Sequence, residues 1–421
     1  MPDAGVYARI LDHANRADPY PLYTELRRTP VLRQEDGTYV VSTYQHIAAL
    51  LHDPRLSSDL RSPEERAAEG PKPAFLRLDP PDHDRIRRLA MRHFGPPHTP
   101  GRVDGMYDEL GRTVAGLVDG FVGRHRVDVV DDYAYPFPVA VICRLLGVPP
   151  EDEPRFRQWV DVLVDTIDPR GDIQDPDPAK IQAVLDFRQY LADLVVAHRA
   201  SPGDSMLSAM ATDDGPEGRL PDEELVGTAM LLLIAGHETT VNLIAHGVLT
   251  LLRNPEVLQR LRADPDLVVR LVEELLRFEP SVQMIPWRKV LDDIVLGDTT
   301  IPRDSFVALV LAAGNRDPDQ FPDPDRFDPD RRVQHLSFGG GPHFCFGAPL
   351  ARLETQLALN EFARRVLNPR LVADPPPYRT SPVLRGPLHL PVDYDDVAPA
   401  REAPGVVQQR RPAEEDLHAR R

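Results

Sequence analysis

Apolar positions in this chain recur mostly with the period of a helix. Spacings of three and four mark helices over about 82–94, 105–122, 136–147, 151–166, 178–199, 222–252, 254–262, 265–278 and 347–366. Within 265–278 the stripe is Leu267, Val268, Leu271, Val272, Leu275 and Leu276. Arg277 falls off that stripe, which predicts an arginine on the wet face. The stretch from Leu225 to Leu252 is apolar on nearly all sides, which predicts a helix buried all round. Strand-like segments are short and few, near 38–43, 293–303 and 305–313. Prolines gather between these elements, most densely in DPDQFPDPDRFDPDR at 317–331. That meander cannot be regular structure, and a loop so long in a compact chain usually has a task. Beyond residue 397 the apolar period is lost, which predicts one large unit over 1–397 and a flexible tail over 398–421. No repeat of solenoid length is visible. The pattern is mainly α with a minor β part.

Charge narrows the function. The 421 residues carry a formal net charge of −17, which disfavours nucleic acid as a partner. Two cysteines, Cys143 and Cys345, cannot build a disulfide framework, which fits a reducing compartment such as the cytoplasm. The first residues lack a basic start followed by an apolar run, so no signal peptide is expected. Glu238 sits in the middle of the long apolar stretch, where a charge is costly in lipid. That favours a core helix over a membrane span.

The candidate chemistry centres on SFGGGPHFCFGAPLAR, Ser337 to Arg352. A lone cysteine is usually a small buried core residue. This one stands behind a run of glycines and just ahead of a helix that Pro349 can start. A thiolate is a strong donor to iron, and a helix N-terminus favours the anion. The glycines permit unusual backbone angles and close approach of a flat ligand. Phe338 to Gly347, FGGGPHFCFG, resembles the haem-binding loop of the cytochrome P450 superfamily at each of its fixed positions. The resemblance implies the α-rich triangular prism with small β-sheets of that family. It also implies haem b ligated by Cys345, with O2 as co-substrate.

Other motifs of the family follow in order. AGHETT, Ala235 to Thr240, resembles the oxygen-activation element of the long helix. The resemblance gives Thr239 a hydrogen bond to the oxygen, Glu238 a proton relay, and Ala235 room beside the haem. Glu274 and Arg277 resemble the Glu-x-x-Arg pair, an otherwise weak signal, with Arg326 of the meander as third partner and Arg331 as the alternative. His83 and Arg87, four apart on one face, resemble a pair that binds haem propionates. Arg288 and His343 occupy the other two propionate positions.

Arg85, Arg88 and Arg92 lie on the opposite face and read either as a solvated face or as a dock for an acidic redox protein. Variable loops and pocket walls, including 56–78, 160–185 with a lid candidate at 168–178, Leu232, Val282, Met284 and Ile285, are expected to choose the substrate. The implied enzyme is a monooxygenase that hydroxylates or epoxidises a small organic molecule, free or tethered to a carrier protein, in secondary metabolism. Ferredoxin and its reductase are the implied partners. Two rivals are a peroxide-driven peroxygenase, which would lack the acid–threonine pair, and a non-catalytic haem sensor or scaffold.

Overall fold

The computed structural model describes residues 5–67, 73–94, 102–155, 159, 162, 168–170, 178–215 and 218–400. Most of the expected helix at 151–166, most of the lid candidate at 168–178, and the tail beyond 400 lie outside the described residues.

Six helices position the site. They are α1 (Asp82–Phe94), α2 (Pro136–Leu146), α3 (Pro178–Ala200), α4 (Asp222–Arg253), α5 (Leu267–Phe278) and α6 (Ala348–Arg365). α4 runs through the main core and packs against α2, α3, α5 and α6. Its all-round apolar surface explains this, because every face finds a neighbour. It is the one helix among the described residues long and apolar enough to cross a membrane, and it is mostly buried inside the protein instead. α5 buries the stripe of Leu267, Val268, Leu271, Val272, Leu275 and Leu276, as its spacing predicts. α6 has Pro349 in its first turn, where the missing N–H has no helical partner to lose.

A five-stranded sheet holds β1 (Val31–Arg33), β2 (Tyr39–Val41), β3 (Leu56–Ser57), β4 (Ile285–Val290) and β5 (Phe306–Leu309), in the order β1-β2-β5-β4-β3. β2 and β5 run parallel, with Val40 opposite Ala308, and the other pairs are antiparallel. The β4–β5 register shifts between Ile285 and Arg288. Pro286 lies in that gap and has no N–H for the ladder, so the strand bulges there.

Short helices at Val6–Leu11, Tyr20–Leu26, Tyr44–Leu51 and Met206–Thr212 complete the N-terminal and central parts. Each is too short to show a helical period in sequence. The meander at 317–331 forms turns and bends without a helix or strand, as its prolines dictate. Near the C-terminus, Tyr378 and Pro387 pair as an isolated bridge and close a narrow loop. Arg385 of that loop donates to the carbonyls of Arg16 and Ala17 at 2.8 Å each, contacts His246 Nε2 of α4 at 3.3 Å, and pairs with Glu279.

Candidate functional site

The cysteine loop is built by close approach. Gly341 has φ +59°, and a Cβ there would stand 2.2 Å from the Leu51 carbonyl oxygen, so only glycine fits. The Cys345 N–H donates to the Phe338 carbonyl at 2.8 Å and closes the loop. Phe346, next in sequence, packs on Phe94 with ring centroids 4.5 Å apart and on Phe75 at 5.9 Å. Phe338 carries the Arg352 guanidinium 4.6 Å above its ring. Arg352 is gripped by Glu273 of α5 at 2.6 and 2.9 Å. Burial would raise the Glu273 carboxyl, yet His335 and Arg352 outweigh it and hold it down at about 2.

Burial raises the Cys345 thiol above its ordinary range. The Gly347 and Ala348 N–H groups and the Arg87 and Arg352 charges pull the other way without prevailing. The helix start expected to keep this sulfur ionised therefore moderates the shift without reversing it. A metal ion held by this sulfur would complete the deprotonation, because a coordinating thiol gives up its proton.

Cationic and imidazole groups gather beside the loop. The His83 and His343 rings lie 4.3 Å apart. His83 Nδ1 meets Asp84 at 2.7 Å and its buried Nε2 has no partner. His343 Nε2 meets Ser58 Oγ at 2.9 Å and its buried Nδ1 has none. Burial, then His83, Arg288 and Arg87, push His343 down to about 3. Burial also pushes Arg288 down to about 10, with Asp79 opposing and Arg77 adding repulsion. Arg288 donates to the adjacent Trp287 carbonyl at 3.0 Å, and Arg87 to the Phe344 carbonyl at 2.6 Å. Two orphaned imidazole nitrogens and two desolvated guanidinium groups suit an anionic ligand.

On α4, Ala235 is exposed although the helix is otherwise largely buried. Thr239, one turn on, is half-buried and donates its hydroxyl to the Ala235 carbonyl at 2.8 Å. Glu238 is buried. Its Oε1 accepts from Asn242 Nδ2 at 3.2 Å and faces Arg379 Nε at 3.1 Å. Leu232 is buried in the main core one turn before Ala235.

Arg277 is fully buried, against its periodicity. It grips Glu274 through two bonds of 2.7 Å and donates to the carbonyls of Asn315 at 3.0 Å and Pro324 at 2.8 Å. Polar partners from the meander, invisible to a one-helix pattern, explain that burial. The third side chain is Arg331, not Arg326. Arg331 Nε lies 3.4 Å from Glu274 Oε1, and its other nitrogens hold the Pro322 and Asp323 carbonyls. Arg326 contributes a backbone carbonyl to Arg277, while its side chain is 65% exposed and pairs with Asp328.

Two further expectations need correction. Arg85 pairs with Glu224 of α4 at 2.6 Å and Arg92 with Asp213 at 2.9 Å, so these charges brace α1 internally. Arg88 is exposed. Met284 is fully buried, and its sulfur accepts from the Tyr7 hydroxyl at 3.7 Å, which makes it a core contact and not a pocket wall. Val282 and Ile285 are half-buried, and Val282 bridges to Leu384.

Sequence reasoning missed Arg379, Asn242 and Glu354. Arg379 stands in a loop without periodicity. Glu354 of α6 is buried, its Oε2 has no partner, and burial raises its carboxyl far above the usual range. Its spacing of four from Leu350 and Ala358, both buried, was the available signal.

These residues fit haem. Cys345 would supply the thiolate ligand, and His83, Arg87, Arg288 and His343 would offer donors for two carboxylates. When bound, haem iron supplies the oxygen-activating chemistry.

The family model for "Cytochrome P450" matches residues 31–367. The chain is similar to the Vitamin D(3) 25-hydroxylase of Pseudonocardia autotrophica, at 41% identity over 89% of this chain and 93% of that protein. It is 40% identical to the cytochrome P450 monooxygenase PikC of Streptomyces venezuelae, over 90% of this chain and 91% of that one. The ligand-free structure of Mycobacterium smegmatis CYP164A2 superposes with a TM-score of 0.84 at 39% identity, covering 92% of this chain and 99% of that chain. A thiolate donor, an acid–threonine pair on the core helix and a matched family model over most of the chain lead to one conclusion: the chain belongs to the cytochrome P450 family and is a haem-thiolate monooxygenase of the bacterial type.

Proposed function

We propose that the enzyme hydroxylates a bulky, largely apolar metabolite, with electrons from a ferredoxin and its reductase, in the cytoplasm. The observation that carries this is the interruption in the burial of α4, where Ala235 is exposed and Thr239 half-buried while Glu238, between them in sequence, is buried. The half-buried candidates Val282 and Ile285 are apolar, which suits a substrate held by shape and burial more than by charge. Relatives near 40% identity support hydroxylation, one of them being named for it. Two cysteines that form no disulfide agree with a reducing compartment.

Each residue has a task. Cys345 presents sulfur at the end of a closed loop. His83, Arg87, Arg288 and His343 fix the carboxylates of haem and thereby its orientation. The Thr239 hydroxyl holds a proton beside the Ala235 carbonyl. Glu238 takes protons from the far side of the helix and returns them toward Thr239. Apolar walls hold the substrate and exclude loose water.

The test starts with the haem-loaded protein. Candidate metabolites, free and carrier-bound, are screened by the change in haem absorption when substrate enters. Binders are then turned over with ferredoxin, its reductase and isotopically heavy oxygen. The expected result is one heavy oxygen atom in the product, and coupling that falls in both Thr239→Ala and Glu238→Gln. Turnover faster with peroxide than with ferredoxin would overturn the proposal in favour of a peroxygenase. No oxidised product from any binder would favour a sensor or scaffold.

A further inference from the structure

The segment YRTSPVLRGP, from Tyr378, carries no periodicity and none of the motifs used above. The structure presses it onto the catalytic stretch of α4. The Arg379 N–H donates to the Gly386 carbonyl at 3.0 Å, across the neck of the loop. A Cβ on Gly386 would stand 2.0 Å from Asn242 Oδ1, so glycine lets the loop touch the helix there. Asn242 is the residue that donates to Glu238 Oε1 at 3.2 Å. Arg379 Nε lies 3.1 Å from that same oxygen. The next residue is braced as well. Arg170 donates to the Thr380 carbonyl at 3.2 Å and to the Leu11 carbonyl at 3.3 Å.

We propose that Arg379 is a positioning residue for Glu238, holding its buried carboxylate toward the C-terminal loop and so setting when that carboxylate releases and collects protons. The inference rests on the reading of Glu238 as the proton relay. Its physical basis is the cost of a buried carboxylate without a cation. With Arg379 in place, one oxygen of the resting carboxylate accepts the Asn242 amide N–H and lies in ion-pair contact with the Arg379 guanidinium. To take a proton it must loosen from Arg379, and after passing the proton toward Thr239 it returns. Arg379 stays protonated throughout, and the relay ends each cycle with the proton count it started from.

Other groups around this stretch act elsewhere. His237 meets the Tyr135 ring edge-on at 4.9 Å. His246 lies farther along α4 against Arg385, Glu279 and Tyr378. From α2, Ile142 makes an apolar contact at Gly236. Glu354 of α6 is shifted by burial without a charged neighbour.

The experiment compares the haem-loaded wild type with Arg379→Gln, Arg379→Lys, Glu238→Gln and the Arg379→Gln/Glu238→Gln double variant. Three readouts are taken: peroxide released per electron pair, the pH profile of oxygen-dependent turnover, and the infrared carboxyl region without turnover. In Arg379→Gln the peroxide fraction is expected to rise severalfold and the pH profile to move upward. A protonated-carboxyl band should appear that the double variant lacks. Arg379→Lys, which keeps the charge, should restore most of the wild-type profile.

If Glu238→Gln leaves coupling and profile unchanged, the relay reading itself fails. If Glu238→Gln changes them while Arg379→Gln matches wild type and gains no band, the positioning role fails alone. If neither Arg379 variant forms the thiolate-type carbon-monoxide complex, the side chain serves the fold, and the proposal is overturned.

Discussion

Arg277 is the position at which the architecture is most exposed to a single change. It is fully buried, as is its partner Glu274. Truncation to alanine leaves the buried Glu274 carboxylate with only the long Arg331 contact and the Asp328 N–H, a loss of about 3–5 kcal/mol for one partner of a buried pair. It also orphans the Asn315 and Pro324 carbonyls, each worth roughly 1 kcal/mol. The total reaches about 5–7 kcal/mol, comparable with the ~5–15 kcal/mol that holds a typical domain together. Arg331→Ala removes a long contact to Glu274 and two carbonyl bonds at the rim, and should cost about 1–2 kcal/mol. Arg326→Ala, at an exposed side chain, should stay within about 0.5 kcal/mol.

Thermal midpoints of the haem-loaded variants, read by circular dichroism and by haem absorption, give the ranking. The yield of the thiolate-type carbon-monoxide complex shows whether the cysteine loop has formed. Arg277→Ala should give almost none, because Ser337 at the start of that loop hangs on the same scaffold through Asn315 at 2.9 Å and the Leu276 carbonyl at 2.5 Å. Equal losses in Arg326→Ala and Arg331→Ala would refute the assignment of the third partner. A well-folded Arg277→Ala protein would refute the cost assigned to the Glu274 carboxylate that has lost its main partner.

Three further outcomes can be checked. Met284→Ala should cost about 2–5 kcal/mol in stability and leave substrate-induced haem shifts unchanged, whereas Ile285→Ala should alter those shifts with a smaller loss of stability. His246 is pushed down to about 3, chiefly by burial and then by Arg385, so the unfolded chain binds its proton first. Its share of stability is therefore whole above pH 6.5 and is lost as pH falls toward about 3, and His246→Gln should flatten that slope in a series of thermal midpoints across pH. Haem loading should release a proton at neutral pH from Cys345, whose thiol is raised before metal arrives, and this release, followed with an indicator dye in weak buffer, should be absent in Cys345→Ala.

Much of this was legible in the residue order. A helix apolar on all sides had to be the core, and α4 is. A glycine run ahead of a cysteine and a proline had to be a tight loop feeding a helix, and residues 337–349 are. What sequence could not supply was long-range pairing. Arg277 looked exposed because its carbonyl partners, Asn315, Pro324 and Arg326, lie 38 to 49 residues on. Arg326 and Arg331 carry the same charge in similar surroundings, and backbone turns alone decide which side chain faces inward. The basic face of α1 read as free because Glu224 and Asp213 lie far off in sequence. Met284 sits beside a bulge at 285–288, and strand alternation cannot be counted through a bulge.

The C-terminal loop also fixes the order in which this protein can become itself. Arg379 and Arg385 reach back to Glu238 and Glu279, and Arg385 further back to the carbonyls of Arg16 and Ala17. On the ribosome these two arginines are among the late arrivals. Until they emerge, buried carboxylates on α4 and just beyond α5 have no cation from that loop. Synthesis at about 5–20 residues per second leaves the central helices waiting for many seconds. Closure is thus a late step of folding: until residues 379–385 have emerged, Glu238 and Glu279 lack the cations that this loop brings to them.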